Sequence, residues 1–146
     1  MRQDLEELFA DGQFKCMDQD FSGAVSIFSR IISEDPGAAK VYQARAVARL
    51  RLGDRSAALQ DIDQAIGIEP GNARFHYHRG AILLQQDEFD EAVESLSRAI
   101  AFDPAYPGAY LLRGKVFERL GEEESANADI AKAIQLKKER EEAVDF

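Results

Sequence analysis

The sequence predicts an all-α fold made of four stacked helix pairs, and three observations predict it. First, Pro36, Pro70 and Pro104 return every 34 residues, each behind an acidic residue, in "EDPGA", "IEPGN" and "FDPAY". Second, apolar residues share that register: Ala24, Ala58, Ala92 and Ala126; Phe28, Ile62, Leu96 and Ile130; and Ile32, Ile66, Ile100 and Ile134. Within a unit these three positions lie four residues apart, on one stripe of a helix, so all three are expected to be buried. Third, four prolines and ten glycines in 146 residues, with abundant Ala, Leu, Glu, Arg and Gln, favour helix over sheet.

The period divides the chain into units 5–38, 39–72, 73–106 and 107–140, read as a single domain with a short charged helical extension over 135–146. Each unit holds two helices. In the second and fourth, the first helix is carried by "AKVYQARAVARLRLGD" and "YPGAYLLRGKVFERLGE", whose apolar residues recur at three- and four-residue steps. These segments end where Gly53 and Gly121 can take the left-handed conformation that closes a helix. The second helix of the first three units must end at Asp35, Glu69 and Asp103. Proline lacks an amide donor and drives its predecessor out of helical geometry. The acid–proline pair is therefore the punctuation between helix pairs. In the fourth unit no proline intervenes, so "IAKAIQLKKEREEA" is expected to continue to about Glu142, with "KKEREE" as a solvated extension and Leu136 and Val144 as the residues a dimer contact there would use.

With this period, the small residues at helix contacts and the closing proline, the chain resembles the tetratricopeptide repeat family from residue 5 to about 140. The third unit fits best, with Gly80, Leu83, Ala92, Leu96, Ala99 and Pro104 at the family's spacing and His76 where Tyr42 and Tyr110 stand in its neighbours. The ends depart from the pattern: Asp11 and Lys15 replace apolar residues, and Lys138 replaces proline, as expected of capping units that meet water. The resemblance implies a right-handed α-solenoid of four antiparallel helix pairs. Stacking is physically required, because helices of about a dozen residues are marginal alone and one pair cannot bury both of its apolar sides.

Composition excludes several functions. The net charge of −9, from 27 acidic and 18 basic residues, would repel nucleic acid as a whole. A lone Cys16 allows neither an internal disulfide nor a zinc site, and points to a reducing compartment. No run of about 18 apolar residues exists, and "MRQDLEELF" lacks the basic start and apolar stretch of a secretory signal. A soluble cytoplasmic protein without membrane attachment is the expectation. No catalytic constellation is present either: there is no phosphate-binding glycine loop, Rossmann fingerprint or nucleophile elbow, so no cofactor and no enzymatic activity are expected. His76 and His78 point about 200° apart on a helix and cannot share one metal, which leaves His76 as a packing residue.

Arg45, Arg79 and Arg113 also recur at 34-residue steps. Asp61 and Asp129 follow Arg45 and Arg113 by 16 residues, which suggests a partly buried ladder of ion pairs rather than a ligand site. Ser95 takes that place in the third unit, which singles out Arg79 as the candidate exception.

The resemblance further implies that the first helices line a concave groove for an extended peptide or a partner helix. Carried onto the matching positions, it gives Phe9 and Gln13, with Glu6 beside them, from the first unit. The second contributes Lys40, Gln43, Val47 and Arg51, the third Arg74, Tyr77, His78 and Leu84, and the fourth Leu111, Lys115, Glu118 and Arg119. Five basic side chains against two acidic ones make this strip positive on an acidic chain, which favours an acidic or amphipathic protein or peptide partner. Tyr77, Leu84 and Leu111 would then supply apolar anchors, and Arg74 and Lys115 would pair carboxylates. The family's clamp for chaperone C-terminal carboxylates is not reproduced. Phe9, Gln13 and Ala44 replace its first three polar positions, and Arg74 and His78 only approximate the others. The alternative is a structural protein that forms a homo-oligomer through its less regular terminal repeats.

Overall fold

The computed structural model describes residues 1–144. The described residues form eight helices and no strand: α1 Gln3–Met17, α2 Phe21–Glu34, α3 Ala39–Arg51, α4 Arg55–Ile68, α5 Ala73–Gln85, α6 Phe89–Phe102, α7 Pro107–Arg119 and α8 Glu123–Val144. They gather into two compact units, one from Met1 to Pro70 and one from Gly71 onward. In the first, α1 packs on α2, α3 on α4, and α2 on α3; in the second, α5 packs on α6, α7 on α8, and α6 on α7.

Every first helix closes the same way. Gln19, Gly53, Asp87 and Gly121, at 34-residue intervals, have φ of 62°, 83°, 58° and 76°. The amide after each one donates to a carbonyl five residues back: Asp20 to Lys15 at 2.8 Å, and Asp54 to Arg49, Glu88 to Leu83 and Glu122 to Phe117 at 2.9 Å. This is the Schellman arrangement, which satisfies carbonyls that a helix end leaves orphaned. Two of the four left-handed positions carry side chains, which costs each about 1 kcal/mol relative to glycine. Sequence reading identified only the two glycines. Two of the acids that follow cap the next helix: Asp20 accepts from the Gly23 amide at 3.0 Å and Asp54 from the Ala57 amide at 3.3 Å, whereas the Glu88 side chain makes no cap bond.

The second helices end at Asp35, Glu69 and Asp103, whose φ of −129° to −139° and ψ of 79° to 88° are non-helical. The following prolines keep these residues out of the helical region. Without such a proline α8 runs to Val144, past the expected end near Glu142. Leu136 is half-buried; the side chain of Val144 and residues 145 and 146 lie outside the described residues.

The core is tight where small residues let helices approach. Ala24, Ala58, Ala92, Phe28, Ile62 and Leu96 are fully buried. At Gly80, a Cβ would lie 2.6 Å from Leu96 Cγ, so α5 and α6 meet closer than any side chain at that position allows. Gly12 does the same against the Phe28 ring. The expectation that the third stripe position is buried needs correction. Ile32, Ile66 and Ile100 are half-buried, and Ile134 is 59% exposed. Two steps of four residues rotate a side chain by about 80° around the helix, whereas a step of four and one of three brings it nearly back. Ile31, Ala65, Ala99 and Ala133, seven residues after the first position, are accordingly the buried ones.

Candidate functional site

In the first unit the expected groove residues lie on α1 and α3. Lys40 Nζ reaches both Glu6 carboxylate oxygens, at 2.9 and 3.1 Å, and stands 4.7 Å from the centroid of the half-buried Phe9 ring. Its charge is thus neutralised locally. Arg51 lies over Phe21 at 4.8 Å. Gln13 is exposed, while Gln43 and Val47 are half-buried. Phe9 packs against the Phe28 ring with centroids 5.6 Å apart, and the Lys40–Glu6 ion pair beside it is satisfied.

The second unit differs. Arg74, at the start of α5, and Lys115, on α7, are exposed and make no ion pair among the described residues. Arg119 is paired with Asp87 at 3.3 Å and lies 4.9 Å from the Phe89 ring. Tyr77 stacks on Tyr106 with centroids 5.2 Å apart and meets His78 edge-on at 5.3 Å. Burial, with the charge of Arg74 beside it, pulls His78 down to about 4. The imidazole is therefore neutral at physiological pH and acts as a polar aromatic surface rather than a cation. Leu84 and Leu111 are half-buried.

Six residues outside the expected groove join Arg74 here. A cavity of about 390 Å³ is lined by Arg74, Asp103, Tyr106, Pro107, Gly108, Lys137 and Arg140. Lys137 and Arg140 come from the continued end of α8, three residues apart and hence on one face. The "KKEREE" segment is exposed along its length, and two of its side chains line this cavity. The available signal was Lys138 in place of proline, which lets the helix run on past the start of α7.

The recurring arginines are structural where their pairing is seen. Arg45 grips Asp61 with Nε at 2.9 Å and Nη2 at 2.7 Å and donates to Ser29 at 3.1 Å; Arg49 adds a third bond to Asp61 at 2.9 Å. Arg113 repeats the pattern with Asp129 at 2.7 and 2.8 Å and Ser97 at 3.1 Å. The bond from Asp129 outweighs burial and raises Arg113 above its ordinary value. Arg79, the suspected exception, donates to Ser95 at 2.8 Å. His76 is buried and stacks on Phe102 at 5.3 Å, the packing role expected of it. Among the described residues no group of His, Cys, Asp and Glu could hold a metal ion, and no helix is long and apolar enough to cross a membrane.

The fold recurs in solved structures. A crystal structure of MamA superposes with a TM-score of 0.86 over 94% of this chain and 81% of that one, at 21% identity. The first TPR of Spaghetti (RPAP3), bound to the HSP90 peptide SRMEEVD, gives 0.77 over 82% of this chain and 94% of that one, at 20% identity. YrrB, a TPR protein with an unusual peptide-binding site, gives 0.77 over 88% and 66%, at 16% identity. No curated protein sequence matches the chain. Family models do: residues 39–72 and 107–140 match the tetratricopeptide repeat model, and residues 80–121 match a TPR repeat model. Taken with four helix pairs that share one turn and one core register, these matches place the chain in the tetratricopeptide repeat family.

Proposed function

We propose that the protein is a non-catalytic protein-interaction module that holds an acidic or amphipathic peptide segment against its first-helix faces. One observation carries the reading: Arg74 and Lys115 stand exposed without ion pairs among the described residues, on the helices that also carry the half-buried Tyr77, Leu84 and Leu111. A cation that is already free of partners gives up only water when a carboxylate arrives, and neighbouring apolar surface supplies the remaining affinity. Lys40 is already paired with Glu6 and Arg119 with Asp87, which leaves Arg74 and Lys115 as the cations of the second unit that a carboxylate would meet. That Spaghetti and YrrB are peptide-binding proteins of this fold supports the class of ligand, though not its sequence.

Titration of a panel of acidic and amphipathic peptides against the wild type and the Arg74→Glu, Lys115→Glu double variant tests this. Both side chains are exposed, so the variant folds, and every peptide that binds should weaken by about tenfold or more. Unaltered affinity across the panel refutes the assignment. A second reading, self-assembly, is favoured by the exposed Phe14 and Met17 of α1 and Ile134 of α8. A molar mass by light scattering that stays at one chain across a concentration series removes it.

A further inference from the structure

We propose that the cavity between the starts of α5 and α7 and the continued end of α8 binds a phosphate monoester, with Arg74, Lys137 and Arg140 around the phosphoryl group and Tyr106 against its carrier. Three cations line this cavity against the single carboxylate of Asp103, and that carboxylate already accepts from the Ala105 amide at 3.2 Å. None of the three cations has an ion pair among the described residues. All three are exposed around the same space, so their fields add there and favour an anion.

The shape of the charge decides which anion. A phosphate monoester carries about −1.5 to −2 on one compact group with three acceptor oxygens, so three cations around one cavity can all reach it, and arginine forks match its oxygens. Two adjacent carboxylates on an extended peptide point to opposite sides of the strand and cannot both enter one cavity. The wall is equally specific. Tyr106 is backed by Tyr77 in a stack with centroids 5.2 Å apart, and Gly108 makes room for it, since a Cβ there would lie 3.1 Å from Tyr106 Cε1. Burial, with Tyr77 nearby, raises Tyr106 above its ordinary value, so its hydroxyl stays protonated and able to donate. At about 390 Å³ the space exceeds a phosphoryl group and leaves room for the carrier against the ring. The site shares Arg74 with the proposed peptide face, whereas Lys137 and Arg140 lie outside the residues proposed to hold the peptide, so variants at these two separate the readings.

The carrier is either a phosphorylated side chain of a protein or a free small ester, and both present the same chemistry. The test is a titration of the ¹⁵N-labelled full chain with phenyl phosphate, followed at the Gly108 amide and the Arg74 and Arg140 side-chain resonances. Saturating shifts are expected, with binding at least about tenfold weaker in the Lys137→Glu, Arg140→Glu variant, whose exposed substitutions leave helicity unchanged. A phosphotyrosine peptide that binds more tightly than phenyl phosphate supports a protein carrier; equal binding supports a free ester. The proposal is overturned if the variant binds phenyl phosphate as well as the wild type. It is equally overturned if a Glu-Glu dipeptide, or inorganic phosphate, matches the ester. Loss of ester binding with peptide affinity retained separates this site from the proposed groove.

Discussion

Replacing Ala92 with arginine should lower the stability of the protein by about 3 kcal/mol or more, the largest effect expected from any single substitution in α6. Ala92 is fully buried on the face of α6 that also carries Leu96 and Ala99, and α5 meets that face so closely that Gly80 has no room for a side chain. A guanidinium cannot leave this contact for water without separating the two helices, and it finds no carboxylate if it stays. Urea unfolding followed by circular dichroism reads the cost. Ala105→Arg, at an exposed turn position, is the control and should shift the midpoint little. Equal midpoints for the two variants would show that α5 and α6 are not packed as described.

Asp61→Ala should cost nearly as much, about 3 kcal/mol, for a different reason. Its carboxylate is 3% exposed and accepts three hydrogen bonds from Arg45 and Arg49. Deleting it strands two partly buried cations in the interior of the first unit, and the loss measures their desolvation as much as the vanished attraction. The Glu94 to Arg98 pair supplies the contrast. Its 2.7 Å distance equals the shortest Arg45 to Asp61 contact, yet both side chains are more than 60% exposed. Glu94→Ala should therefore change stability by no more than about 0.5 kcal/mol. Comparable urea midpoints for Asp61→Ala and Glu94→Ala would sink the structural assignment of the arginine row.

The repeat made most of the fold legible. Proline positions set three helix ends, because the steric rule at the preceding residue is local and needs no tertiary knowledge. The pairing of Arg45 with Asp61 and of Arg113 with Asp129 was readable for a related reason: a spacing that returns with the repeat brings the same side chains together in each unit where both are kept. Rotation around the helix was not captured by a rule of four. The stripe was extended to Ile134, whereas burial follows Ile31, Ala65, Ala99 and Ala133. Gln19 and Asp87 escaped notice as left-handed residues because their side chains give no hint of it; only their register with Gly53 and Gly121 does. The cavity at Arg74 was hidden for a third reason. Lys137 and Arg140 reach it only because α8 overruns the point where the other second helices stop, and how that overrun lies beside α7 depends on packing rather than on local sequence.

Each hairpin corner is closed by main-chain bonds back into the helix it ends, with Gln, Gly, Asp and Gly serving in turn at one position. The bend therefore belongs to the peptide backbone, which keeps the same closure whether glycine or a side chain bearing the left-handed cost occupies it. Hairpins of this chain can in consequence be treated as interchangeable cassettes: an exchange cut at these corners preserves the angle of the joint, and only the side chains on the swapped faces have to be rematched.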